Sequence, residues 1–358
     1  MKTNYRAAGV PMLAALISLA VTSYAAAQSG GFVQTNLVSD IPGVAERVDS
    51  NLVNPWGIVA SPSNTIWIAD NGTGVSTLYS PTGAKQPSGN PLVVTIPASK
   101  TSTEGGNPTG IVFNGAGGFV VTEDTRSGSS FFIFASEDGV ISGWNPQVAL
   151  DHAVVAVDHG KREAIYKGAA LGTTAGGLRL YVTNFHAGTV EIYDQNFSRI
   201  HGPTKFVDPT LPSGFAPFGI ANINGSIYVT YAKQDADAED DVAGPGLGFV
   251  NVFDTQGNFI KRLISRGKLN APWGLALAPS GFGSFGSALL VGNFGNGHIN
   301  AYDPNSGAFL GQLTKAGDGR SLVIDGLWGL FFIDKRLFFT AGIADEAHGL
   351  FGVIKASQ

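Results

Sequence analysis

Asn54-Pro55-Trp56-Gly57-Ile58-Val59-Ala60 is the stretch that decides the fold, because its pattern returns along the chain. Ala271-Pro272-Trp273-Gly274-Leu275-Ala276-Leu277 repeats it closely. Gly326-Leu327-Trp328-Gly329-Leu330-Phe331-Phe332, Asn107-Pro108-Thr109-Gly110-Ile111-Val112-Phe113 and Ala216-Pro217-Phe218-Gly219-Ile220-Ala221 repeat it more loosely, and Tyr166-Lys167-Gly168-Ala169-Ala170-Leu171 is the weakest copy. The shared glycines Gly57, Gly110, Gly168, Gly219, Gly274 and Gly329 follow one another at steps of 53, 58, 51, 55 and 55 residues. A period of that size signals a repeat architecture, in which each unit buries its apolar face only against its neighbours.

Between these boxes lie short runs rich in Val, Ile, Phe and Tyr, broken by turn residues, with no helical period after Gln28. Such runs read as strands. The fifth repeat shows the layout, with strands expected over 273–278, 288–291, 298–303 and 309–313. The second repeat is the least regular: 131–135, 140–144 and 154–157 compete for its third and fourth strands, so an extra hairpin is expected there. Repeats of four strands predict an all-β chain, a six-bladed β-propeller of four-stranded antiparallel blades. The sixth repeat runs out of chain after three strands. Its fourth is available at 32–38, so the N-terminal strand is expected to complete the last blade and close the ring.

Composition agrees. The chain has 358 residues, no cysteine, 49 glycines and only 14% charged residues. Glycine suits many tight turns, and the lack of cysteine excludes disulfides, thiol catalysis and cysteine metal sites. Lys2 and Arg6, an apolar run from Val10 to Val21 and Ala25-Ala26-Ala27 describe a signal peptide over 1–27, which leaves 28–358 as one propeller domain. Removing it takes the formal charge from −5 to −7. A mildly acidic chain without a basic patch argues against nucleic acid as a partner. No later stretch is long and apolar enough to span a membrane. A monomer, secreted or periplasmic in the bacterial envelope, is expected.

The Pro-aromatic-Gly strand, a strand ending in Asp or Asn before a glycine-rich loop, and strands closing in Tyr193-Asp194, Phe253-Asp254 and Tyr302-Asp303 resemble NHL repeats. These are six-bladed propellers in the broader gluconolactonase and strictosidine-synthase-like group. More narrowly, Tyr231-Ala232-Lys233-Gln234-Asp235, Thr183-Asn184-Phe185-His186-Ala187-Gly188 and Ile141-Ser142-Gly143-Trp144-Asn145-Pro146 resemble an uncharacterised family of secreted bacterial propellers. That resemblance covers the mature chain and implies its fold, not an activity. The chain lacks the membrane-sorting tail that such members often carry, which fits a soluble product.

In a propeller, the loops between second and third strands share one face with the loops leading into each first strand, and ligands are expected where these converge on the channel mouth. Blade one offers Asn54, Asp70 and Asn71; blade two Asn107, Glu123 and Asp124; blade three Asn184 and His186. Lys233 and Asp235 come from blade four, Asn293 and Asn296 from blade five, and Asp345, Glu346 and His348 from blade six. Ligand binding is expected of Asn54, Asn107, Asp124, Lys233 and His348, with a protein, glycan or small molecule as partner. Propellers resembling gluconolactonase hold a divalent metal with a Glu/Asn/Asn/Asp set, so the resemblance offers Asp70, Glu123, Asn184 and Asn293 as a Ca2+-type site. Oxygen donors suit such a cation; the plainer alternative is that Asp70, Asn184 and Asn293 cap turns. The acidic loop with Asp235, Asp237, Glu239 and Asp241 is a separate calcium candidate, a mobile lid or a solvated loop. His186 and Glu123 are the candidates for general acid–base chemistry. No nucleophile elbow, zinc motif or phosphate loop occurs. A binding propeller leads, and a metal-dependent hydrolase, lactonase or lyase is the alternative.

Overall fold

The computed structural model describes residues 1, 30–103, 105–202 and 205–357. The signal peptide expected over 1–27 lies, beyond its first residue, outside them. The described chain is an all-β, six-bladed propeller. Blade one runs from its innermost strand Pro55–Ala60 through Ile66–Asp70 and Val75–Tyr79 to Val93–Thr95. Blades three, four and five follow the same antiparallel order from Tyr166–Thr174, Phe215–Ile223 and Pro272–Leu277 outward.

The ring closes as expected. In blade six, Leu327–Ile333, Arg336–Ile343 and His348–Ala356 are followed by Phe32–Ser39 from the N-terminal end, antiparallel to the third strand. Arg47–Val48 then adds in parallel as a fifth strand.

Blade two carries the extra hairpin, but not where the strand count put it. Its sheet is Pro108–Phe113, Phe132–Ser136, Val140–Trp144 and Val154–Asp158. Val120–Glu123 and Arg126–Ser129 form a separate two-stranded sheet against the outer strands. The loop between second and third strands is therefore Glu137-Asp138-Gly139, and Glu123-Asp124 is the tip of the inserted hairpin.

The hydrophobic clusters follow the seams between blades. Ile66, Ile68 and Tyr79 of blade one meet Phe338, Phe351 and Val353 of blade six, and Trp67 and Leu78 meet Phe132 and Trp144 of blade two. One further cluster, with Trp56, Phe185, Phe218 and Trp328, sits on the axis.

The repeated glycines let the innermost strands touch. A Cβ on Gly57 would stand 2.5 Å from the Thr109 carbonyl of the next blade, and one on Gly329 would stand 2.6 Å from the Trp56 carbonyl across the closure. Gly274 meets the Trp328 carbonyl at 2.5 Å in the same way. The recurring box is thus a packing requirement of the ring, because any larger residue would push adjacent blades apart.

Candidate functional site

Each box places the residue before its glycine at the loop-face end of the channel. Aromatic side chains fill four of the six places: Trp56, Phe218, Trp273 and Trp328. Trp56 and Trp328 stack with centroids 3.4 Å apart, and Trp273 meets both edge-on at 5.9 Å. Phe294 stacks on the far side of Trp328 at 3.9 Å. Together they plug the axis, since stacked and edge-on rings bury large apolar areas in a fixed geometry.

Blade three breaks the pattern with a charge. Lys167 stands where four of the other blades have aromatics and blade two has Thr109, and its side chain is only 2% exposed. The ammonium lies 5.3 Å from the Trp56 ring centroid and 5.9 Å from that of Phe185, within cation–π range. It donates to Glu137 Oε1 at 2.5 Å and to Asp240 Oδ1 at 3.0 Å. Burial alone would lower the lysine pKa, but the Glu137 and Asp240 carboxylates outweigh it and hold the ammonium above its usual range.

Around this pair the mouth is a polar network drawn from several blades. Asn71 Nδ2 donates to Glu137 Oε2 at 2.6 Å, and Asn107 Nδ2 to the Asn71 carbonyl at 3.4 Å. Asn54 Nδ2 donates to Glu346 Oε2 at 2.7 Å and to Asn71 Oδ1 at 3.3 Å, while its Oδ1 accepts from the Trp328 indole at 3.0 Å. Asn54 holds this position at φ 44°, and Glu346 closes a run of left-handed residues, Ala344 at 56°, Asp345 at 52° and Glu346 itself at 64°. Such conformations cost free energy and persist where the surroundings fix them.

Blade four adds a cover. The segment from Lys233 to Val242 folds back on itself, with Asp235 N donating to the Asp240 carbonyl at 2.9 Å and Val242 N to the Lys233 carbonyl at 2.8 Å. Asp237 and Glu239 face solvent, and Asp235 Oδ1 caps the Glu239 amide at 2.9 Å. Asp241 turns inward, and its Oδ2 is buried without a partner. Burial pushes the Asp241 carboxyl up to about 7 against the pull of Lys167, with Glu346 and Asp240 adding to the rise. Burial also raises Glu346, which Asn54 partly offsets.

The other expected residues separate. Asn54, Asn107 and Asp241 reach the mouth. Glu123 lies on the inserted hairpin, where His152 Nε2 meets its Oε1 at 2.8 Å, and Asp124 is the turn beside it at φ 52°. Asp70 is fully buried in blade one and accepts from Thr77 Oγ1 at 2.7 Å, burial driving its pKa well up. Asn184 Oδ1 accepts from the Ala187 amide at 3.1 Å, the turn-capping role, and its Nδ2 donates to Glu191 at 3.1 Å. Asn293 Nδ2 holds the Lys268 carbonyl at 2.8 Å. Asp70, Glu123, Asn184 and Asn293 each bond within a different blade, and Asp70 Oδ1 and Asn293 Oδ1 are buried without a hydrogen-bond partner. Among the described residues, no three His, Asp or Glu side chains are grouped to hold an ion. Lys233 is exposed on the loop, His186 Nε2 approaches Glu163 at 3.9 Å, and His348 Nδ1 pairs with Asp40 at 2.6 Å beside the closing strand.

Lys167 and Glu137 escaped the sequence reading. The signal for Lys167 was the weakest box copy itself: it is the one charged residue at the aromatic position. Glu137 was hidden by the inserted hairpin, whose Glu123-Asp124 mimics a strand end.

Below the plug, the first strands of all the blades line a channel of about 540 Å³ that opens on the opposite face, walled by Ile58, Ile111, Leu171, Leu275, Leu330 and their neighbours.

No family model matches the sequence. An uncharacterized protein of Acanthamoeba polyphaga mimivirus is 34% identical over 337 residues, covering 90% of this chain and 80% of its own length. A second from the same virus is 33% identical over 335 residues, covering 90% and 85%. These relatives are viral, whereas the motifs resembled secreted bacterial propellers. Among solved structures, a glucose dehydrogenase superposes with a TM-score of 0.55 at 13% identity, over 91% of this chain and 99% of that one. Virginiamycin B lyase from Staphylococcus aureus gives 0.52 at 14% identity, over 90% and 98%. At such identities the likeness concerns the fold, since one propeller hosts unrelated chemistries. The sequence matches carry more: the chain belongs to the family of these mimivirus proteins.

Proposed function

We propose that this is an extracytoplasmic, NHL-like binding propeller whose site is the loop-face mouth of the channel, covered by the blade-four loop. One observation carries the reading. A buried lysine stands in a ring of aromatics, held by carboxylates from two other blades. A purely structural plug needs no charge there, because replacing a buried ion pair by apolar residues is often neutral or stabilising. Strained Asn54 and Glu346 at the same spot support the reading. A small molecule suits a covered site better than a protein or glycan. Export is supported by the basic, then apolar, then Ala-rich start of the chain.

A library of small molecules screened by thermal shift tests the site, with hits mapped by hydrogen exchange. Hits that protect 234–242 and 344–346 are expected; hits that protect only distant blades would overturn it. Expression in a secreting host should yield a mature chain beginning at Gln28, and a retained leader would contradict export.

A second reading places a hydrolase, lactonase or lyase at the same mouth. Asp241 favours it, since a carboxyl raised to about 7 can exchange protons at neutral pH. Calcium dependence belongs to this reading, and activity that survives a chelator would remove it.

A further inference from the structure

We propose that the mouth receives a small organic ammonium ion, seated against the axial indoles and the carboxyls of Asp241 and Glu346 beneath the blade-four loop. This rests on the reading of the mouth as a ligand site and names the ligand's chemistry.

Charge balance comes first. Glu137, Asp240, Asp241 and Glu346 face one another around a single cation, and Lys167 bonds only the first two. Glu346 has just the Asn54 amide, and Asp241 keeps a buried oxygen with no donor. The mouth is therefore short of positive charge, which disfavours an anion. A neutral ligand would leave Asp241 and Glu346, when ionised, without a counter-charge.

The aromatic floor supplies the second, independent observation. Trp56 is 2% exposed, and its indole N–H has no acceptor. The other axial indoles are satisfied, Trp328 by Asn54 and Trp273 by the Lys167 carbonyl at 2.8 Å. Lys167 already shows that this floor accepts an ammonium, seated over the Trp56 ring. The unmet groups thus form a complementary set: acceptors on Asp241 and Glu346 and a donor on Trp56. A compact protonated amine that also carries an oxygen acceptor would answer all three, and a quaternary ammonium would supply the charge alone.

Access requires the blade-four loop to lift. Asp240, which latches it to Lys167, has a side chain 78% exposed, so solvent screens the latch. A ligand cation offers Asp241 a partner that the closed loop does not.

The test is a titration of the intact protein at neutral pH with ethanolamine and choline, followed by indole fluorescence and calorimetry. Glucose and acetate serve as neutral and anionic probes. Saturable binding of an ammonium probe is expected, weakened at least about tenfold in Asp241→Asn and in Glu346→Gln and unchanged in Asp237→Asn. Thermal melts establish that each variant is folded, and two variants guard against one that is not. No saturable ammonium binding, or binding indifferent to both substitutions, overturns the inference. Glucose or acetate binding that protects 234–242 from exchange overturns it while leaving the mouth as the ligand site. Ammonium binding that protects other blades and not this loop contradicts both.

Discussion

Blades one and three carry the same box and differ in what stands before its glycine. In blade one Trp56 lies flat on Trp328, and a Cβ on its glycine would stand 2.5 Å from the next carbonyl. In blade three Lys167 replaces the ring, and a Cβ on Gly168 would stand a looser 3.1 Å from the Phe218 carbonyl. The first blade shows what the ring needs in order to close. The third shows what it carries beyond that need: a charge on the axis, with Glu137 and Asp240 brought to it from neighbouring blades.

Removing the charge should have the largest effect. Lys167→Met leaves Glu137 and Asp240 without their cation, and losing one partner of a buried pair costs about 3–5 kcal/mol. The exposure of Asp240 places the expected loss near the lower figure. Denaturant unfolding measures it, and a variant as stable as the wild type would reduce Lys167 to filler. Next comes the glycine comparison. Gly57→Ala forces a methyl against backbone and should cost about 1–3 kcal/mol. Gly168→Ala meets a looser neighbour and should cost less; equal losses would erase the distinction between the blades.

The repeat was legible because it follows from the backbone. Each glycine admits a neighbouring carbonyl, and that need recurs at every blade whatever the side chains do. The closing strand 32–38 was legible for the same reason, as an open sheet edge must be covered. The site depends on side chains that break the repeat. Asn54 and Asn107 were found because they sit inside boxes. Lys167 occupies a position that pattern reading assigns to the core, and its burial is visible only when the blades are packed. Glu137 was masked by a hairpin that shifted the blade-two strand count.

A smaller effect concerns pH. Asp241 is raised to about 7 in the fold, whereas an unfolded aspartate titrates near its usual value. The stability linked to its proton is complete at acid pH and lost as pH rises through about 7. Asp241→Asn should therefore melt about 2 °C or more above wild type at alkaline pH, and the two curves should converge in acid. Parallel curves at all pH values would mean that Asp241 is already ionised. The smallest effect belongs to the residue that the strand count favoured. Glu123 pairs with His152 on a half-exposed hairpin, so Glu123→Ala should cost under about 1 kcal/mol and leave ammonium binding unchanged. A larger loss would put that hairpin back into the site.

On the proposed reading, the axial charge of blade three holds the blade-four loop over the mouth. Hydrogen exchange at the amides of Asp235 and Val242, which close that loop on Asp240 and Lys233, tests it directly. In Lys167→Met both should exchange at least about tenfold faster than in wild type, with the strand amides of blade one unchanged. Equal exchange in the two proteins would contradict the claim.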